Sequence, residues 1–139
     1  MRNQNNTVNT DGIDTFYSNN LIFRNWTVIN GDDSLSTKAD STNVLIQDSV
    51  FINGNGFAVG SIGQYKGVYE RIENVTLERI KCFNTLYPGY IKTWTGVQQN
   101  YPPNGGGGGL GYAKNIGSHL IMAQTKVNLT HGVLTCSFS

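Results

Sequence analysis

The 139-residue chain carries ten Lys and Arg against nine Asp and Glu, a formal net charge of +1, with 38% apolar and 14% charged residues. That balance argues against a nucleic-acid binder, which needs a basic patch, and against a disordered chain, which needs fewer apolar residues and more charge. Apolar runs of only a few residues argue against a membrane span.

The unusual counts are 17 Gly and 17 Asn against 3 Pro and 2 Cys. Helices disfavour both Gly and Asn, so the composition points to a β protein. Cys82 and Cys136 stand too far apart for a metal knuckle or a disulfide scaffold. The opening stretch, Met1 to Gly12, is polar and has no hydrophobic leader. Four glycosylation sequons, at Asn5, Asn25, Asn74 and Asn128, nevertheless suit a secreted, extracellular protein.

Three segments then repeat along the chain. The first runs Asn20-Leu21-Ile22-Phe23-Arg24-Asn25-Trp26-Thr27-Val28-Ile29-Asn30-Gly31. The second runs Asn43-Val44-Leu45-Ile46-Gln47-Asp48-Ser49-Val50-Phe51-Ile52-Asn53-Gly54. The third runs Asn74-Val75-Thr76-Leu77-Glu78-Arg79-Ile80-Lys81-Cys82-Phe83-Asn84-Thr85. Each opens and closes on Asn or its neighbour and passes through β-branched and aromatic residues. The second interval exceeds the first by the length of a loop insertion at Gln64 to Arg71. A period in the low twenties with Asn at the corners predicts an all-β, right-handed parallel β-helix, an incomplete solenoid. Asn20, Asn43 and Asn74 are expected to form a ladder inside the turns, bonding free backbone groups.

Further on, Pro102 to Gly111 holds five consecutive glycines, read as a flexible loop between coils or as backbone open to a polysaccharide. Tyr87, Tyr90, Trp94, Tyr101 and Tyr112 surround it, and one or two of them are expected to stack on sugars. Lys114-Asn115-Ile116 opens a fourth coil. The pattern then breaks, so residues 1–116 are read as a partial parallel β-helix catalytic domain and 117–139 as a non-matching tail, with a gene-model artefact as one reading of it. With three to four coils and no visible caps, the isolated chain is expected to be marginally stable or to aggregate through open edges.

Stacking also predicts a site. Residues one period apart share a face, so Asp11, Asp32, Asp33 and Asn55 should gather across three coils. Lys92 is placed one coil plus a loop beyond Asn55. Three crowded carboxylates suit general acid–base chemistry or a hard cation such as calcium. Asp11-Gly12 and Gly31-Asp32 are equally good turn formers, which leaves a purely structural reading open.

At these residues the chain resembles the polygalacturonase family of pectin-degrading glycoside hydrolases. Asn9-Thr10-Asp11-Gly12-Ile13-Asp14, Gly31-Asp32-Asp33, Gly54-Asn55-Gly56 with Gly60-Ser61-Ile62-Gly63, and Ile91-Lys92 come in that family's order. The resemblance runs from about Asn9 to Ile116. It implies a parallel β-helix, a pectic polysaccharide substrate, no metal or other cofactor, and a monomer when full length. It implies inverting hydrolysis in which Asp32 protonates the leaving oxygen while Asp11 and Asp33 hold and deprotonate the attacking water. Inversion calls for an acid and a carboxylate ~6.5–9.5 Å apart. By the same resemblance Lys92 meets a substrate carboxylate, and Asn55 and Tyr90 complete the substrate-binding set.

Three residues depart from the family pattern. Asn55 replaces the His of Gly-His-Gly, Tyr90 replaces the Arg of Arg-Ile-Lys, and Ser34 stands where many relatives carry Cys. The first two weaken recognition of a uronic acid near the cleavage point. They imply a branch that cuts rhamnose-containing pectin or acts from chain ends. A catalytically inactive chain that at most binds pectin is the rival reading.

Overall fold

The computed structural model describes residues 7–99 and 105–124. Ten strands and no helix occur among them: β1 (Asp14–Thr15), β2 (Asn19–Arg24), β3 (Thr27–Ile29), β4 (Asp33–Thr37), β5 (Ser41–Gln47), β6 (Val50–Ile52), β7 (Gly56–Ile62), β8 (Tyr69–Phe83), β9 (Gly89–Thr93) and β10 (Leu110–Gln124). One sheet stacks β1, β4, β7 and β9. The other stacks β2 and β3 on β5 and β6, then β8, then β10. Every pairing is parallel. The chain therefore winds as a parallel β-helix, each coil resting on the one before.

Register follows the sequence repeat. Leu21 pairs with Val44, and Val44 with Val75. Thr27 pairs with Val50, and Val50 with Lys81. The inserted residues leave the coil between β7 and β8 without disturbing either partner. Strand-forming residues alternate across each strand. Their inward sides build stacked rows: Val44 on Val75, Ile46 on Leu77, Phe51 on Cys82. With Leu35, Phe57, Val59, Ile72 and Ile80 they form one buried core. Each of these aliphatic and aromatic side chains contributes about 1.5–3 kcal/mol by leaving water.

The corners explain the asparagine excess. Asn20, Asn43, Asn74 and Asn115 all adopt left-handed backbone, with φ of 59°, 55°, 54° and 55°. Asn tolerates this conformation better than other residues with a Cβ. The side-chain ladder differs from the expected one. Asn43 donates to Asn19 (2.8 Å), Asn74 to Asn43 (2.9 Å) and Asn115 to Asn74 (3.0 Å). It lies on the exposed surface and links side chain to side chain rather than filling the turn interior. Asn19, not Asn20, supplies the first rung. A second rung, Asn84 to Asn53 (2.9 Å), pins another corner.

The fourth coil runs on past Ile116, with β10 pairing with β8 as far as Gln124 opposite Phe83. Backbone pairing carries it past the point where side-chain alternation fades. Residues 125–139, Cys136 and His131 lie outside the described residues. The glycine-rich loop is packed rather than loose from Gly105 to Gly109. Gly107 donates to the Gln64 carbonyl (2.9 Å), Gly108 to Thr95 (2.9 Å) and Gly109 to Gly63 (3.2 Å). A Cβ on Gly107 would run into the Thr95 carbonyl and one on Gly109 into the Tyr65 carbonyl.

Candidate active site

The acidic face forms where the coils enter the four-stranded sheet. Gly12 donates to the Asp33 carbonyl (2.8 Å) and Asn55 to the Asp32 carbonyl (2.8 Å). These bonds set the residues around Asp11, Asp32 and Asn55 on successive rungs. A Cβ at Gly12 would overlap the Ser34 carbonyl, so the residue after Asp11 must be Gly for the rungs to close. The Asn30 side chain clamps the turn, donating to the carbonyls of Thr10 (3.0 Å), Asp32 (2.9 Å) and Asp33 (2.8 Å). It also accepts from Ser34 (3.2 Å), the residue that stands in the Cys position.

Asp11, Asp32 and Asp33 each bring one oxygen within 4.8 Å of the others. That is closer than the separation expected for inversion. Asp32 and Asp33 are chain neighbours and Asp11 sits one rung away, and the rung spacing is only ~4.8 Å. Two oxygens so placed can still share one water, since each hydrogen bond spans about 2.7 Å.

The three carboxyls differ in setting. Asp32 is half-buried and accepts from the Asn55 amide (2.7 Å), the Asp33 N–H (2.9 Å) and the Asn9 N–H (2.8 Å). Asp33 is fully buried and accepts from Lys92 Nζ (2.7 Å), the Tyr90 hydroxyl and Ser36 (3.0 Å). Burial alone would raise its pKa, but the hydrogen bonds from Lys92 and Tyr90 outweigh this and hold it below the ordinary range. Asp11 is half-buried, and burial pushes its pKa up, reinforced by repulsion from Asp32, Asp14 and Asp33. Lys38 opposes this from 4.0 Å, while bonding Asp14 at 2.5 Å. Burial and the Asp33 hydrogen bond keep the Tyr90 phenol protonated far above its usual range.

All six residues expected at the site are thus close together. Lys92 arrives by a different route from the one expected. It does not stack on Asn55; Tyr87 does, donating to the Asn55 carbonyl (3.1 Å). Lys92 lies against Gly60 and reaches Asp33 through its side chain. Sequence reasoning missed Asn30, Ser36 and the Asp14–Lys38 pair. The last was readable, since Lys38 follows Asp14 by 24 residues, about one coil. Among the aromatics, Tyr87 and Tyr90 lie with ring centroids 5.0 Å apart, tilted by 42°. Tyr112 stands on the other sheet, bonded to Glu73. Tyr101 lies outside the described residues.

Cys82 is buried and, among the described residues, has no disulfide partner; burial pushes its thiol up to about 11. It is a core residue and has no part in the acidic face.

The model for Glycosyl hydrolases family 28 matches residues 1–101. The chain is 55% identical over 108 residues to "Alpha-L-rhamnosidase rgxB" of Aspergillus niger, covering 78% of this chain and 25% of the relative. It is 40% identical over 113 residues to "Putative galacturan 1,4-alpha-galacturonidase A" of Aspergillus niger, covering 78% and 26%. It is 41% identical over 116 residues to "Exopolygalacturonase X" of Aspergillus niger, covering 83% and 27%. The chain spans about a quarter of the length of these curated relatives. No solved structure matches it.

Proposed function

The chain belongs to family 28 of the glycosyl hydrolases, and from that premise we propose that it contributes the acid–base face of an enzyme hydrolysing glycosidic bonds in pectin, at rhamnose-containing linkages. The observation that carries this is the convergence of Asp11, Asp32 and Asp33 with oxygens within 4.8 Å. The 55% identity to a relative named as a rhamnosidase supports the rhamnose-type linkage. Pectin lies outside the cell, so the proposal places the protein there.

Asp32 is assigned the proton donor to the leaving oxygen, as the family resemblance implies. Asp11 is assigned the base that deprotonates water held between the carboxylates. Its raised pKa makes it the stronger proton acceptor for that step. Asp33, with protein donors on both oxygens, serves as a fixed negative charge behind the water. Asn55 holds the Asp32 carboxyl in place. The proton is shared by a coupled group, so the rate should follow apparent pKa values of the set.

The test is reducing-sugar release from rhamnogalacturonan and from polygalacturonate, with Asp32→Asn as control. Release from rhamnogalacturonan that Asp32→Asn abolishes is expected. Release from polygalacturonate alone would reassign the linkage. Activity indifferent to Asp32→Asn, or lost on chelation, would overturn the assigned mechanism. Proton NMR of the newly released anomer checks inversion.

A further inference from the structure

The cations of the acidic face are already engaged. Lys92 Nζ lies 2.7 Å from the buried Asp33 carboxylate. Lys38 Nζ lies 2.5 Å from Asp14 and 4.0 Å from Asp11. Asp11, Asp14, Asp32 and Asp33 therefore face two ammonium groups that each already contact a carboxylate. A negatively charged sugar entering here meets like charge and finds both of these ammoniums paired.

Tyr90 closes this arrangement. Its hydroxyl donates to one oxygen of Asp33 while Lys92 takes the other. Lys92 also lies 5.9 Å over the Tyr90 ring, so phenol, ammonium and carboxylate form a closed triangle. The ring packs against Tyr87, which is 44% exposed, so an aromatic pair adjoins the Asp33 carboxylate that the Tyr90 hydroxyl bonds. An aromatic pair favours a sugar carbon bearing hydrogens over one bearing a carboxylate.

We propose that Tyr90 is a specificity-determining residue: by locking Lys92 onto Asp33 and offering its ring beside Tyr87, it makes this face select a neutral 6-deoxy sugar over a uronate. The inference rests on the proposed pectin-hydrolase reading and adds to it the residue that chooses the sugar. Burial and the Asp33 hydrogen bond hold the phenol in its protonated, donating form.

The test measures binding of methyl α-L-rhamnoside and methyl α-D-galacturonoside to the full chain by NMR titration. Wild type is expected to prefer the rhamnoside by about tenfold or more, a difference of ~1.4 kcal/mol. Tyr90→Arg should abolish or reverse that preference, and Tyr90→Phe should narrow it. A folded Tyr90→Arg variant with the wild-type preference overturns the proposal, as does a wild type that prefers the galacturonoside.

A measurement on wild type alone guards against misfolded variants. Raising salt from about 0.02 to 0.5 M screens repulsion, so galacturonoside binding should strengthen while rhamnoside binding holds. Galacturonoside binding that weakens with salt reveals a cation available to the ligand and also overturns the proposal. Hydrolysis of rhamnogalacturonan decides the underlying reading separately. The sugar preference can hold without cleavage, and cleavage can occur without it.

Discussion

Lys92→Met isolates the ion pair of the buried Asp33. Asp33 is fully buried, and Lys92, about one-third exposed, supplies its ionic partner. Removing one member of a buried pair costs about 3–5 kcal/mol, because the other is left charged without compensation. Tyr90 and Ser36 continue to donate, and the ammonium is partly solvated, which places the expected loss near 3 kcal/mol at neutral pH. The pH dependence identifies the cause. Asp33 titrates below its ordinary value of 3.8 in the folded protein. A carboxyl whose pKa is lower folded than unfolded adds stability above the unfolded value and loses it as pH falls through the folded one. Without Lys92, burial becomes the larger influence and the sign reverses. The variant's deficit should therefore be greatest near pH 7 and shrink as pH falls below the unfolded value of 3.8 and through the lower folded one, where Asp33 becomes protonated in both states. Thermal unfolding across that range is the assay, and the expected drop at pH 7 is about 10 °C for a chain of this size. An equal deficit at pH 3 and pH 7 would refute the reasoning, since a mere packing defect has no reason to titrate.

Other substitutions probe separate links. Gly56→Ala places a Cβ onto the Tyr87 carbonyl at φ of 92°, and should cost several times the ~1 kcal/mol of an ordinary Gly-to-Ala strain, seen as lost soluble yield or lowered Tm. Asn43→Ala removes two ladder bonds and leaves a Cβ in left-handed backbone, for about 1–3 kcal/mol. Asn43→Gly should recover the backbone share of that loss, and denaturant midpoints separate the two. Asp14→Asn removes a charge that raises Asp11 and releases Lys38 toward it. The acidic limb of the pH–rate profile should move to lower pH, and an upward shift contradicts the assignment of Asp11 as base.

The repeat was legible because a solenoid writes its geometry directly into sequence. Segment offsets of 23 and 31 residues are the pairings of Leu21 with Val44 and of Val44 with Val75. The carboxylates were legible for the same reason, since Asp11, Asp32 and Asn55 occupy equivalent places on successive coils. What escaped was whatever depends on side-chain reach or on the direction of a corner. Lys92 is 59 residues from Asp33 and off its column, and only a long flexible side chain joins them. Asn30 looked like one more corner residue, yet its amide turns inward to hold the Asp32-Asp33 turn. The extent of β10 was hidden because backbone pairing to β8 persists where residues such as Gly117 and Ser118 carry no apolar signal.

The pinned corners have a consequence for how such a chain can change. The rise in coil length, from 23 residues to 31 and then to 41 between Tyr69 and Leu110, is absorbed entirely on one side of the winding. The Asn columns on the other side never shift. Chain length there is decoupled from alignment elsewhere, as slack in one bight of rope leaves the knots in place. Gly67, with open space around it, sits in that slack. Insertions between residues 64 and 68 can thus reshape the rim above the glycine-rich loop without asking the core to refold.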